Sequence, residues 1–134
     1  MSKSKRIELR EAYMQGWYQM DIDRLLASTA ANFIFDDPAE PAPVTRAHLA
    51  QYMLRWDARV RSLQGANEDG AYEWRLTHES RVDANGLLTD WEWWQIVGIE
   101  LQGAAVVITG NNGVLLERIT YFDRGIHPFG AQHG

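Results

Sequence analysis

The 134-residue chain contains no cysteine. This absence excludes disulfides, cysteine-ligated zinc sites and a thiol nucleophile, and it favours a cytoplasmic protein. The sequence also lacks any run of about 18 apolar residues that could cross a membrane. Its first residues lack the apolar segment of a secretory signal. We therefore expect a cytoplasmic protein with no membrane partner.

Positive charge is also scarce, with 13 Lys and Arg residues against 18 Asp and Glu residues and a formal net charge of −5. A nucleic-acid-binding surface requires a basic face, so this balance argues against a nucleic-acid partner. The small basic cluster of Lys3, Lys5 and Arg6 is expected to be a solvated tail. The histidines, aspartates and glutamates show no metal-ligand spacing, and no glycine-rich phosphate loop follows a strand. We expect neither a metal nor a cofactor.

Six tryptophans stand out in a chain that is otherwise ordinary, with 46% hydrophobic and 23% charged residues. The length fits a single domain spanning residues 1–134 and allows a substantial core. The sequence contains no internal repeat, low-complexity tract or linker.

The first half of the sequence has the pattern of helices. Residues 4–19 carry apolar side chains at helical spacing. Asp21 is a suitable N-cap for a second helix over 21–31. A short apolar strand over 32–36 comes before a proline-rich break, and a third helix follows over 46–63.

The second half changes to the alternation of strands. We expect strands over 72–83, 88–97, 99–109 and 114–123, with hairpin turns at Asn85-Gly86 and at the segment GNNG. The tail after 123 has no regular pattern. Helices and strands are segregated along the chain, which predicts an α+β fold with an antiparallel meander.

His78 interrupts an otherwise apolar strand face. Strict alternation would place it with Tyr72, Trp74, Leu76, Ser80 and Val82 on the inward face. An inward histidine could act as an acid or base near neutral pH, whereas the alternative is a core histidine whose hydrogen bonds are satisfied.

Asp37 follows directly after the strand in the segment NFIFDDP. Strand periodicity puts it on the same face as Phe33 and Phe35, and Asp36 on the opposite face. A carboxylate among aromatic rings is desolvated, which raises its pKa toward the range of a general base. The alternative is a structural turn aspartate before Pro38.

The tryptophans come from four predicted elements. An apolar pocket suited to rings is one explanation, and ordinary core or dimer-interface packing is the other. The residues predicted to line such a pocket are Trp17, Phe33, Phe35, Tyr52, Trp56, Trp74, Trp91 and Trp93. Trp94 has the opposite strand parity to Trp91 and Trp93.

Three separated segments resemble the nuclear transport factor 2-like (NTF2-like) superfamily, which includes ketosteroid isomerase, scytalone dehydratase, limonene epoxide hydrolase and SnoaL-type polyketide cyclases. They are AYMQGWYQMDIDRLLASTAANFIFDDP, TRAHLAQYM and NGVLLERITYFD, in the family's order and spacing. The resemblance implies a cone-shaped α+β barrel, with three N-terminal helices packed on a strongly curved mixed sheet.

Ketosteroid isomerase is the member that the local motifs resemble most. Its catalytic tyrosine and its general-base aspartate correspond to Tyr13 and Asp37. The position of its protonated aspartic acid corresponds to Ala105, so half of that oxyanion hole is missing. The aspartate of the epoxide hydrolases, expected before YFD, corresponds to Thr120.

These observations lead to two functional hypotheses. The first is a small, cofactor-independent enzyme that binds a hydrophobic molecule, with cyclic compounds included, and moves a proton next to a carbonyl, as isomerases, dehydratases and cyclases do. Asp37 would be the base, and Tyr13 and His78 would polarise the oxygen. The second is a binding or protein-interaction module without chemistry. In both cases we expect a homodimer through the outer sheet face.

Overall fold

The computed structural model describes residues 3–64, 73–99 and 101–122. The predicted tail after 123, Tyr72 and most of the QGANEDG segment lie outside the described residues. Within these ranges, three α-helices, one short 3₁₀ helix and six strands are present. Their bounds are α1 Lys3–Gln19, α2 Ile22–Ser28, β1 Thr29–Asp36, β2 Val44–Thr45, the 3₁₀ helix Arg46–His48, α3 Leu49–Gln64, β3 Trp74–Ala84, β4 Leu87–Ile96, β5 Gln102–Gly110 and β6 Gly113–Tyr121.

The α+β prediction is confirmed, and the helices form much as expected. The side chain of Asp21 caps α2 by accepting a hydrogen bond from the backbone N of Arg24 at 3.1 Å. Between α1 and α2, Gly16 allows close approach, because a Cβ there would meet Leu25 side-chain atoms at 3.0 Å. The second helix ends at Ser28, so the first strand begins three residues earlier than predicted.

The strands form one mixed sheet in the order β2-β1-β6-β5-β4-β3. Strand β1 runs parallel to β6, and the other pairs in the described sheet are antiparallel. Both predicted turns are present. Asn85 and Gly86 adopt φ values of 57° and 76°, which is the left-handed geometry that an Asn-Gly hairpin requires.

The core lies between the helices and the inner face of the sheet. Strand β4 alternates strictly between buried and more exposed positions, so Leu88, Trp94 and Ile96 point inward. Trp91, on the other face, is 52% exposed. This alternation decides which tryptophans can reach the space under the helices.

A bulge in β3 corrects the prediction that strict alternation continues along the strand and keeps Ser80 and Val82 on the inward face with Trp74 and Leu76. The register shifts between His78 and Ser80, and Ser80 pairs with the outward Trp91. Val82 is consequently 54% exposed instead of facing the core. A bulge adds one unpaired residue and so reverses the inward-outward alternation beyond it.

Arg6 corrects the expectation of a solvated basic tail. It is buried and pairs with the Asp83 carboxylate at 2.7 Å, while its Nη1 donates to the side chain of Asn111 at 2.8 Å. Both partners belong to the β3–β4 and β5–β6 hairpin ends. The pairing therefore fixes the start of α1 to that end of the sheet.

Candidate active site

A pocket opens between α1, α3 and the inner face of the sheet. It holds about 470 Å³ of empty space including its mouth, and its interior is narrow. The walls combine aromatic rings with the guanidinium group of Arg10 and the carboxyl groups of Glu92 and Glu117. The lining residues are Arg10, Tyr13, Met14, Trp17, Tyr18, Phe35, Trp56, Trp74, Leu76, Glu92, Trp94, Glu117 and Ile119. A ligand of more than a few atoms would require some of these side chains to move.

Five residues singled out from the sequence line this pocket: Tyr13, Trp17, Phe35, Trp56 and Trp74. Trp56 is the centre of the tryptophan cluster. Its ring meets those of Trp74 and Trp94 edge-on, at centroid distances of 5.7 and 5.9 Å. Such edge-to-face pairs stabilise the wall beyond simple burial.

The other predicted pocket residues lie elsewhere. Phe33 and Tyr52 are buried in the core behind the wall and are not among the lining residues. Trp91 and Trp93 lie on the outer face of β4, so their assignment to the pocket is corrected. The physical reason is strand parity, since Trp94 takes the inward position and its two neighbouring tryptophans cannot share it.

Glu117 of β6 and Glu92 of β4 are the two carboxyl groups among the lining residues, and both are buried. The hydroxyl of Tyr13 donates to Glu117 Oε1 at 2.6 Å. Inward parity on β6 and the face of α1 opposite it bring the two side chains together. The pair joins the residue predicted as a donor to an acid that the sequence reasoning did not single out.

Burial raises the pKa of Glu117 from its ordinary value of 4.5 to about 7, with the negative charge of Glu92 as the second cause. The Tyr13 hydrogen bond and the Arg10 guanidinium act in the opposite direction. Because the pKa lies near neutrality, both protonation states of Glu117 are populated at physiological pH. A group of this kind can accept a proton and give it back.

Arg10 is buried beside Glu117 and is neutralised by acids of β4. Its Nε donates to Asp90 at 2.9 Å, and its Nη2 donates to Glu92. Asp90 is also held by Arg81 at 2.6 Å. Buried charges are tolerated when they are paired, so the guanidinium of Arg10 neutralises the buried carboxylates of Asp90 and Glu92.

Tyr13 keeps its proton throughout the physiological range. Burial raises its pKa well above the ordinary value of 10, and the charge of Glu117 and the hydrogen bond to it act in the same direction. Tyr13 is thus a hydrogen-bond donor committed to the carboxylate.

Asp37 lies outside this pocket, although it is buried as predicted. Its Oδ2 accepts from the hydroxyl groups of Tyr52 at 2.6 Å and Tyr121 at 2.9 Å, and its Oδ1 accepts from the backbone N of Ala39 at 2.8 Å. Arg59 lies 3.8 Å from Oδ2. The carboxylate joins the end of β1 to α3 and β6, and its role as a base stays a prediction.

His78 lies on β3, where its backbone pairs with that of Glu92, but its side chain is outside the described residues. Ala105 is buried on the inner face of β5, between Glu92 of β4 and Ile119 of β6. A strand neighbour therefore supplies a carboxylate beside the position where Ala105 has none.

The sequence reasoning missed Glu117, Glu92, Asp90 and Arg10. The signal was available in strand parity, because residues 90 and 92 share the face of Trp94, and Glu117 shares the face of Ile119. Arg10 precedes Tyr13 by three residues and so lies on the same face of α1.

Across residues 3–64, 73–99 and 101–122, no group of three or more His, Asp or Glu side chains is arranged to hold a metal ion. No helix in those ranges has the length and apolar character needed to cross a bilayer.

Comparison with known proteins gives a likeness of fold. No family model matches the chain, and no curated protein matches its sequence. Among solved structures, a candidate ketosteroid isomerase of Kribbella flavida has a TM-score of 0.57 and 13% identity, covering 97% of this chain and 87% of its own. An NTF2-like protein of unknown function from Burkholderia xenovorans has a TM-score of 0.58 and 18% identity, covering 90% and 85%.

A third solved structure, a candidate polyketide cyclase of Sinorhizobium meliloti, has a TM-score of 0.58 and 9% identity, covering 84% of this chain and 94% of its own. At these identities the likeness concerns the fold and not the chemistry. Three helices over a curved, open mixed sheet, with these structural relatives, show that the chain has the cone-shaped NTF2-like α+β fold.

Proposed function

We propose that this chain is an acid–base enzyme that acts on a hydrophobic small molecule, cyclic compounds included, and moves a proton at a carbon next to a carbonyl. The observation that carries the proposal is the pair of Glu117 and Tyr13 in the wall of an aromatic pocket. A carboxyl group with a pKa of about 7 is suited to both halves of a proton transfer.

Glu117 takes the role that the sequence assigned to Asp37. Tyr13 holds Oε1 of Glu117, so Oε2 is the atom proposed to take the proton from the ligand carbon. The protonated acid then returns the proton to another atom of the same ligand, or to a leaving hydroxyl. Isomerisation, dehydration and cyclisation all use this step, and the aromatic walls exclude water from it.

The proposal is tested by hydrogen–deuterium exchange next to the carbonyl of cyclohexanone in D₂O, followed by proton NMR. Wild-type protein should accelerate the exchange above the rate in buffer alone. In Glu117→Gln this acceleration should be about 10²- to 10⁴-fold smaller. Asp37→Asn, compared per folded molecule, should retain it. Full exchange activity in Glu117→Gln with loss in Asp37→Asn would return the role of base to Asp37.

The second candidate is a non-catalytic module that binds a small ligand or another protein. It is favoured by the narrow interior of the pocket and by the complete set of hydrogen bonds on Asp37. It predicts binding of cyclohexanone or related rings without exchange in any variant. The same NMR experiment therefore separates the two functions.

We also propose that the chain forms a homodimer through the outer face of its sheet. The exposed Trp91 lies opposite Val106 on the neighbouring strand, and Val82 and Leu87 are exposed close by. Large apolar side chains grouped on one surface are typical of protein interfaces. The proposal requires no residue of the partner in the pocket.

A further inference from the structure

The indole N–H of Trp17 is a buried donor for which the described residues supply no acceptor. Trp17 is 6% exposed and lines the pocket. A buried N–H without a partner forfeits the hydrogen bond that water would give it, so such groups are rare in folded proteins and call for an explanation. The pocket itself is the place from which an acceptor could come.

The position of this donor relative to Glu117 follows from α1. Trp17 lies one helical turn after Tyr13, on the same face. The Trp17 N–H approaches the Tyr13 hydroxyl closely enough to lower its pKa in the manner of a weak hydrogen bond, but the contact does not have the distance and angle of a well-formed one. Tyr13 in turn donates to Glu117.

Trp94 provides the internal comparison. It belongs to the same pocket and is equally buried, but its Nε1 donates to the backbone oxygen of Ala104 at 3.3 Å. Of these two indoles, only the N–H of Trp17 has no well-formed hydrogen bond to an acceptor among the described residues. Trp17 and Trp94 therefore differ in the hydrogen bonding of their indole N–H groups and not in ring size.

The charges around the pocket restrict the acceptor to a neutral atom. Asp90, Glu92 and Glu117 all act on Arg10, the one cation among the lining residues, and the first two pair with it directly, while Asp90 also pairs with Arg81. A ligand carboxylate would add a negative charge to a site already rich in acids and would pay for desolvation without a free cation. A carbonyl oxygen satisfies the N–H without that repulsion.

We propose that Trp17 is the donor that recognises the ligand, through a hydrogen bond from Nε1–H to a neutral carbonyl oxygen on a compact apolar ring. Tyr13 is committed to Glu117, so the role of oxygen ligand passes from the tyrosine to the tryptophan one turn later. This inference rests on the proposed function for the reaction, but the binding step stands without it.

The test compares cyclohexanone with methylenecyclohexane, which has the same shape but carries CH₂ in place of the carbonyl oxygen. Both are titrated into ¹⁵N-labelled protein, and the indole N–H signals are followed by NMR. Trp17→Phe identifies its own signal by removing it. In wild-type protein, cyclohexanone should bind, and it should shift the Trp17 indole proton downfield more than the hydrocarbon does.

The matched variants are Trp17→Phe and Trp94→Phe, which remove similar volumes from the same pocket. Trp17→Phe should reduce the preference for cyclohexanone over methylenecyclohexane by about three- to tenfold, the usual contribution of one hydrogen bond. Trp94→Phe should leave the preference unchanged, whatever it does to either affinity. Comparing the two ligands within each variant cancels losses that come from packing alone.

Three outcomes overturn the inference: no binding of cyclohexanone to folded wild-type protein, an unchanged ligand preference in Trp17→Phe, or an equal loss in Trp94→Phe. The proposed function fails separately. Ketone binding that depends on Trp17 but gives no exchange in D₂O would keep the inference and reject the enzyme. Exchange that depends on Glu117 but not on Trp17 would keep the proposed enzyme and reject the role of Trp17.

Discussion

Replacing Glu117 with glutamine should change how the stability of the protein depends on pH. Glu117 has its pKa raised to about 7 in the folded protein against an ordinary value of 4.5. Each pKa unit corresponds to 1.36 kcal/mol, so ionised Glu117 should cost the folded state about 3 kcal/mol. Glu117 is only 9% exposed, so solvent screening does not reduce this figure substantially.

The direction of the effect follows from which state binds the proton more tightly. Below the pKa of Glu117 in the unfolded chain, the residue is protonated in both the folded and the unfolded protein, so it does not lower the free energy of unfolding. As the pH rises from about 4.5 to about 7, the unfolded chain loses its proton first, and the stability of the folded wild-type protein falls. Glutamine cannot ionise, so this loss is absent in Glu117→Gln, while the acceptor for Tyr13 is retained.

The assay is urea unfolding followed by tryptophan fluorescence, for both proteins, at intervals between about pH 4 and pH 8. The stability of Glu117→Gln relative to wild type should increase by about 3 kcal/mol across this range. Glu8→Gln, at an exposed position of α1, is the control for the chemical change alone. A relative stability that stays constant within about 1 kcal/mol would show that ionisation of Glu117 does not destabilise the folded protein.

Tyr13→Phe removes a hydrogen bond that favours the ionised carboxylate of Glu117, so the midpoint of the pH–activity profile should move above 7. Glu92→Gln removes a negative charge that disfavours ionisation, so the midpoint should move below 7. Steady-state kinetics across pH would measure both shifts. Asp37→Asn replaces an acceptor of two tyrosine hydroxyls and should cost about 2 to 4 kcal/mol in urea unfolding. An unchanged midpoint of urea unfolding in Asp37→Asn would contradict the structural role of Asp37. Trp91→Lys should convert a dimer into a 15.3 kDa monomer on sizing chromatography, and a monomeric wild type would reject the interface.

Asp36 offers a control for the Asp37 variant. It neighbours Asp37 in sequence, but it lies on the other face of β1 and pairs with the exposed Arg118 at 2.8 Å. Surface ion pairs contribute about 0 to 1 kcal/mol. Asp36→Asn should therefore leave the free energy of unfolding nearly unchanged. The difference between the Asp36 and Asp37 variants then reports the effect of burying the carboxylate.

The fold could be predicted from the sequence because its determinants are local. The Asp21 cap, the Asn85-Gly86 turn and the segregation of helices from strands each depend on a few neighbouring residues. The parallel pairing of β1 with β6 was not readable in this way, since it joins segments about 80 residues apart.

The site was predicted only in part, for two physical reasons. Strand parity from the segment NFIFDDP correctly buried Asp37, but its contacts with Tyr52 and Tyr121 depend on distant elements. The bulge after His78 reversed the alternation of β3, and a single inserted residue leaves no clear mark in a polar-apolar pattern.

Glu117 illustrates the remaining difficulty. Glutamate is rarely fully buried, so a glutamate between Leu116 and Arg118 is naturally taken as outward. The pairing of this residue with Tyr13 is visible only when α1 and β6 are in place. Buried acids are therefore the features most easily missed in a sequence and the most informative about chemistry once the structure is available.

The central claim is that Glu117 is an acid poised near neutrality in the pocket, and its carboxyl carbon reports this directly. A ¹³C NMR titration of protein labelled at glutamate, with Glu117→Gln to assign the signal, measures the pKa of that group alone. We predict a midpoint near 7, to within about one unit. A midpoint close to the ordinary value of 4.5 would contradict it.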